Sequence, residues 1–214
     1  MALGIGVGLS TFPFEDGKGY FRWVQQCERG GVDSIWQTDR LVSKEPMLEC
    51  FTAMAAIAGA TDRIRFGMNV ASIALRDPLL VAKQCASIDM LSHGRLLPAF
   101  GLGSALSQDY VATGTATKRR GKKANEALSL VHRLWHEDDV DFDGEFFQYK
   151  SASISPKPSN PHLPLWIGGS SEVAMKRTAT YGTGWIGGLE SPEQAGVMVS
   201  GIKAKLKDTG RTID

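Results

Sequence analysis

Short apolar runs alternate with longer amphipathic stretches along almost the whole chain. Leu3–Leu9 alternates apolar residues with glycine, and Val32–Thr38 (VDSIWQT), Ile64–Val70 (IRFGMNV), Arg95–Leu102 (RLLPAFGL), Leu163–Ile167 (LPLWI) and Gly184–Gly188 (GWIGG) follow it. Each run has the length of a buried strand. Between them, apolar residues recur at helical spacing. Tyr20, Val24 and Cys27 mark one helix, ended by Gly30–Gly31. Phe51, Met54, Ala55 and Ala58 mark a second, and Val81, Cys85 and Ile88 a third, opened by Asp77 as N-cap with Pro78 at the first helical position and closed near Gly94. Ala124, Leu128, Val131 and Trp135 form a strongly amphipathic fourth. A fifth covers Ala174–Tyr181. The last presents Ala195, Val199, Ile202 and Leu206, with Ser191 as cap, Pro192 at N1 and Gln194 completing a capping box. Pro98 predicts a local irregularity in its strand. One stretch breaks the pattern: residues 139–158 alternate and contain Asp143–Gly144, which predicts an antiparallel hairpin inserted between a helix and the next strand.

Strand followed by helix occurs six times, so the expected class is parallel α/β in a single domain over residues 1–214. A TIM-type (β/α)8 barrel needs eight such units and about 250 residues. The expectation is therefore an incomplete barrel of about six βα units, two short, carrying a β-hairpin insertion. Charge adds little to this. Against 24 Lys+Arg stand 23 Asp+Glu, net +1, without the basic excess of a nucleic-acid binder or the basic amphipathic face of a membrane-surface protein. Cys27, Cys50 and Cys85 lie far apart inside apolar patterns and read as buried thiols. MALGIGVGLS reads as a first strand rather than a signal peptide, and no run reaches membrane-spanning length. A cytoplasmic protein with neither nucleic acid nor membrane as partner is expected.

In parallel α/β folds ligands bind where strands end. Those ends are Ser10–Thr11, Asp39–Arg40, Asn69–Val70, Gly103–Ala105, Gly168–Ser171 and Gly187–Gly188. They are rich in glycine and small polar residues, with one acid and one guanidinium, and contain no Cys–His pair, nucleophile elbow or His/Cys metal cluster. Such a lining suits a flat polar cofactor that carries the chemistry itself. LPLWIGGSSE (163–172) is the sharpest case. A strand breaks at Gly168–Gly169, and Ser170 or Ser171 caps a helix whose N–H groups then point outward, a natural anion site. An ordinary tight strand-to-helix turn is the other reading. The basic stretch Lys118–Lys123 reads as solvated loop and exposed first helical turn. His132 and His136, one turn apart, read as surface histidines, since no third metal ligand is in view.

Taken together, GVDSIWQTDRL (31–41), RIRFGMNV (63–70), DPLLVAKQCASIDMLSHGRLLPAFGLGS (77–104), WHEDDVDFDGEFFQ (135–148), PKPSNPHLPLWIGGSSE (156–172) and GTGW (182–185) resemble the luciferase-like monooxygenase superfamily, flavin- or deazaflavin-dependent oxidoreductases. The resemblance implies an enzyme using reduced FMN, or the deazaflavin coenzyme F-420, on a small organic substrate. A separate flavin reductase and a homodimer are its implied partners. Its alternatives are a flavin-binding protein without turnover and an inactive fragment of a longer enzyme. By position, Asn69 and Val70 match a non-prolyl cis peptide behind the isoalloxazine ring. Gly103, Ser104 and Ala105 match a loop beside the flavin, and Gly168, Gly169, Ser170 and Ser171 a phosphate cradle. Asp39 and Arg40 align with a catalytic acid–histidine pair. Arg40 departs from that histidine: a guanidinium stays protonated and is no general base. It suits stabilisation of a reduced flavin, a peroxide or a substrate carboxylate, or else a simple pairing with Asp39. Ser104 stands where luciferase has a phosphate-binding arginine, which leaves the anion more dependent on backbone amides.

Overall fold

The computed structural model describes residues 3–211. In chain order its elements are β1 (Gly6–Leu9), α1 (Gly17–Arg29), β2 (Ser34–Gln37), α2 (Cys50–Ala60), β3 (Arg65–Met68), β4 (Ala71–Ser72), α3 (Pro78–Leu91), β5 (Leu96–Leu97), β6 (Ala99–Gly101), α4 (Gln108–Ala112), α5 (Arg120–His136), β7 (Val140–Asp143), β8 (Gln148–Ala152), β9 (Trp166–Gly168), α6 (Glu172–Tyr181), β10 (Gly184–Ile186) and α7 (Pro192–Thr209). Apart from β7 and β8, every strand pairing is parallel, with neighbours in chain order. The row runs β1, β2, β3/β4, β5/β6, β9, β10, six positions as the alternation predicts. Among the described residues β1 and β10 are its ends, and no pairing joins them into a closed barrel.

Two of the six positions are broken midway. Phe66 pairs with Leu96 and Ala71 with Phe100, so one strand takes five residues where its neighbour takes four. The extra residue is absorbed at Asn69–Val70, whose peptide bond is cis as the resemblance implies. Asn69 N–H donates to the Gln37 carbonyl at 2.8 Å, so the kink stays tied to β2. The neighbouring break falls at Pro98, which has no N–H to donate, and its carbonyl accepts from Trp166 N–H at 2.9 Å.

Side chains alternate across each strand. Ile35, Phe66, Leu96 and Ile167 face the helices and join one core with Val24, Met54, Val81, Cys85 and Leu130. On the opposite face Trp36 and Trp166 meet edge to face with centroids 5.7 Å apart. All three cysteines are buried and unbonded, as expected. Two helices are rotated from the sequence reading. Ala55 is exposed while Ala53 and Ile57 face inward, because α2 (CFTAMAAIAGA) is apolar nearly all round and its periodicity does not set its rotation. On α7, Met198 is buried with Ile202 and Leu206, and Val199 is exposed.

The helix caps follow the predicted chemistry. Asp77 accepts from the N–H groups of Leu79 and Leu80, and Ser191 and Gln194 complete their capping box. β7 and β8 form the inserted hairpin. It is fastened by Glu126, which accepts from Glu145 and Phe146 N–H at 3.0 and 2.9 Å, and by the Tyr149 hydroxyl, which donates to Asp77 at 2.7 Å. At the amino ends of the strands two arginines bind helix carboxyl ends. Arg63 donates to the carbonyls of Glu28 and Val32, and Arg95 to those of Ala58, Thr61, Ile64 and Ser92. No helix among the described residues is long and apolar enough to cross a membrane.

Candidate functional site

At the other end of the sheet the strand breaks leave room. The Val70 side chain lies against Gly101 and Gly168, so closely that a Cβ on either glycine would come within 2.6 and 2.9 Å of its methyl groups. Beside this contact a cleft of about 320 Å³ opens between the strand ends and the helix layer, bounded by Val70, Gly103, Gly169, Ser171, Arg120 and Arg177. Gly169 bends the chain with φ of +114°. Ser171, rather than Ser170, then caps α6 by accepting from Ala174 N–H at 3.2 Å. The N–H groups of Ser171, Glu172 and Val173 have no acceptor among the described residues. Glu172, the acid nearest this helix start, is paired with Lys205 instead.

Two guanidiniums complete the cleft, and neither was singled out from the sequence. Arg177 is more than nine-tenths buried. Its Nε donates to Asn125 Oδ1 at 2.6 Å and its Nη2 to the Gly121 carbonyl at 3.0 Å, which ties α6 to α5. Its Nη1 has no acceptor among the described residues, and burial with no carboxylate beside it pulls its pKa down. Arg120 lies over the Tyr110 ring, 5.9 Å from its centroid, and its buried Nε donates to nothing. The basic run Lys118–Lys123, expected to be solvated, therefore turns one member inward. A usable signal existed for Arg177. It stands three residues after Ala174 and next to Thr178, on the buried face of α6, where a cation is out of place.

Asp39 is buried, but not against Arg40. Its carboxylate is gripped by Arg76, with Nη1 and Nη2 both at 2.7 Å, and also accepts from Ser72 N–H at 2.9 Å. Both oxygens of Asp39, which the resemblance implies is catalytic, are thus engaged by Arg76 and the β4 backbone. Arg76 also reaches Glu49 at 3.3 Å. Burial pushes Glu49 up, but the N–H groups of Thr52 and Phe51 and then Arg76 leave it lower than an ordinary carboxyl. Asp39, Glu49 and Cys50 converge closely enough to suggest a metal site, yet the Arg76 guanidinium already supplies the cation there. Burial, then Asp39, pushes the Cys50 thiol up, which keeps it a neutral thiol.

Arg40 is exposed and its one described contact is with Ser107 Oγ at 3.4 Å. The loop beyond it is fixed by buried Asp109, which accepts from Leu41 and Val42 N–H at 3.1 and 2.7 Å. Asn69, Ser104 and Ala105 are exposed near the mouth and do not line the cleft. Ser104 instead closes a turn, accepting from Leu106 N–H at 3.2 Å. Ser170 faces a separate hollow with Leu189 and Glu190. Of the expected cofactor residues, the structure gathers Val70, Gly103, Gly168, Gly169 and Ser171 around one cleft. His132 and His136 stack at 4.5 Å, and both His136 nitrogens meet carbonyl oxygens, so His136 is engaged by the backbone rather than turned toward a metal shared with His132.

The fold is thus a parallel α/β sheet with a glycine-lined cleft at its strand ends, flanked by two guanidiniums. The family model for luciferase-like monooxygenase matches residues 7–214, and the chain belongs to that family. It is 32% identical over 207 residues to a pyrimidine monooxygenase of Allorhizobium ampelinum, covering 88% of this chain and 55% of that protein. It is 26% identical over 218 residues to a coenzyme F-420-dependent glucose-6-phosphate dehydrogenase of Kineococcus radiotolerans, covering 98% of this chain and 64% of that one. Its fold matches the FMN complex of the oxygenating constituent of a Pseudomonas putida 3,6-diketocamphane monooxygenase, with a TM-score of 0.84 at 15% identity, over 100% of this chain and 65% of that one. The chain thus spans roughly half to two-thirds of these relatives' lengths.

Proposed function

We propose that the protein is an oxidoreductase that binds FMN or coenzyme F-420 and acts on a small organic substrate. The observation that carries this reading is the pair of unsatisfied guanidiniums, Arg120 and Arg177, beside the α6 N-terminus. Arg120 Nε is a buried donor without an acceptor, which is costly, and an anionic ligand group satisfies it together with the Arg177 nitrogen that lacks a partner among the described residues. The residues present fit a cofactor phosphate.

When bound, the reduced cofactor supplies hydride to a substrate or reducing equivalents to dioxygen. The protein's own groups bind and position. Arg120, Arg177 and the N–H groups of Ser171 and Glu172 hold the phosphate, while Gly168 and Gly169 let it approach the backbone. Val70 and the Gly103–Ala105 loop flank the ring. Asp39 and Arg76 fix Ser72, two residues beyond Val70, and so keep that flank in place. Arg40 stays protonated and stabilises negative charge at the mouth rather than taking a proton. On this reading a separate reductase supplies reduced flavin when FMN is used, and the enzyme works as a cytoplasmic homodimer.

The test is an absorbance and fluorescence titration of purified protein with FMN and with coenzyme F-420. Saturable binding of either at micromolar concentration supports the reading, and failure of both to bind overturns it.

A further inference from the structure

We infer that Arg40 selects the substrate, receiving the carboxylate of an organic acid that has an apolar body. This rests on the flavin reading above and names its substrate class.

Position comes first. Arg40 follows β2, and its guanidinium meets Ser107 Oγ, at the start of α4, at 3.4 Å. Ser107 belongs to the loop that follows β6. In the row of strands β3/β4 lies between β2 and β5/β6, so this contact sets Arg40 at the carboxyl ends, beside the strand whose break carries Val70. Arg40 is not among the residues bounding the Arg120–Arg177 cleft. β9, which leads to Arg177, stands three positions along the row from β2. At about 4.8 Å per strand the two cation sites are separated by roughly 14 Å.

Availability is second. The acids that hold this corner of the molecule are already engaged. Asp39 is taken by Arg76 and Ser72 N–H, Glu49 by Thr52 N–H and Arg76, and Asp109 by the N–H groups of Leu41 and Val42. Among the described residues Arg40 joins no ion pair. The same acids fix its backbone on both sides. Asp39, just before it, is held from β4 and Arg76, and residues 41 and 42, just after it, are held by Asp109. Arg40 is thus anchored at its base and left without a carboxylate at its tip. A solvated arginine gains nothing from such anchoring, whereas one that receives a ligand loses less freedom on binding because of it.

Surroundings are third. Leu41, Val42 and Leu106 are exposed next to Arg40 and Ser107 in the chain. A single cation on an apolar rim suits one negative head on an apolar body. The guanidinium fork matches the two coplanar oxygens of a carboxylate.

The test uses two matched pairs of probes, octanoate with octanamide and phenylacetate with phenylacetamide. Each is titrated calorimetrically into the intact chain and into R40Q at one pH and salt concentration, and FMN is titrated into both by fluorescence. At least one acid is expected to bind the intact chain at least about tenfold tighter than its amide. In R40Q that preference should vanish, while FMN affinity and the urea midpoint stay as they were. Three results overturn the inference. The intact chain could bind neither acid more tightly than its amide, or R40Q could keep the preference. R40Q could also lose FMN affinity, which would assign Arg40 to the cofactor instead. In each of these the flavin reading stands, because FMN binds the intact chain. Failure of both FMN and coenzyme F-420 to bind the intact chain overturns that reading and the inference with it.

Discussion

Arg95 and Arg177 are almost equally buried, at 9% and 8% exposure, and yet they do opposite things at opposite ends of the sheet. Arg95 precedes β5. Its Nε, Nη1 and Nη2 reach the Ser92, Ile64, Ala58 and Thr61 carbonyls and the Thr61 hydroxyl, at 2.6 to 3.0 Å. A guanidinium has five N–H donors, and this one has five acceptors. Arg177, on α6, has two acceptors and a nitrogen left over. Burial lowers the pKa of both, but Glu28 and Asp62 oppose that for Arg95, while nothing opposes it for Arg177. Burial therefore does not tell the two arginines apart; the state of their donors does. At the amino end of the sheet all the Arg95 donors are taken, whereas at the carboxyl end Arg177 Nη1 has no acceptor among the described residues.

The sharpest way to break this contrast is to remove each arginine. R95A leaves four carbonyls of two helix ends and a strand entry without their donor, and should cost about 3 kcal/mol or more, read as a fall in urea midpoint. R177M loses the two hydrogen bonds that tie α6 to α5. Its stability should change by about 1 kcal/mol, while FMN affinity falls by about tenfold or more. Equal stability losses in the two variants would dissolve the distinction.

A smaller effect comes from pH. Asp89 is fully buried, its Oδ1 has no partner, and burial pushes its pKa up despite the N–H groups of Asn160 and Ser159. Because the folded value lies above the unfolded one, this site favours folding at low pH. Its contribution declines as pH rises from the ordinary carboxylate range through the folded value. Glu28 works in reverse. Burial raises it, but the N–H groups of Ile64, Asp62 and Arg63 lower it further, so its contribution is present above the ordinary range and is lost on acidification. D89N should flatten the stability profile on the alkaline side of the carboxylate range and leave the acid limb unchanged, as followed by denaturant midpoints across pH. The smallest change is expected for R40A, within about 0.5 kcal/mol, because Arg40 is exposed and touches one hydroxyl at 3.4 Å. A large loss of stability there would mean that Arg40 supports the fold after all.

Most of the framework could be read from the chain because its signals are local. Asp77–Pro78 and Ser191–Pro192 start helices wherever they occur, and Pro98 interrupts a strand through its own missing N–H. The strand-to-helix turn at Gly168–Ser171 was equally local, and of the two serines read as possible caps Ser171 is the one that caps. What escaped were pairings across long sequence distances. Asp39 meets Arg76, 37 residues on, and nothing near Asp39 announces it. Arg120 looked like its basic neighbours until α5 was placed against Tyr110. The rotation of α2 was illegible because alanines and a glycine surround it on every side.

Phosphorus NMR of FMN reports directly on whether the cleft between the strand ends and the helix layer holds a cofactor phosphate, as proposed. With the intact chain, the FMN phosphorus resonance should shift or broaden in step with the change in flavin absorbance. In R177M, at a concentration where the absorbance still reports binding, it should stay near its free position. A flavin absorbance that shifts on binding while the phosphorus resonance of FMN does not move would contradict the account.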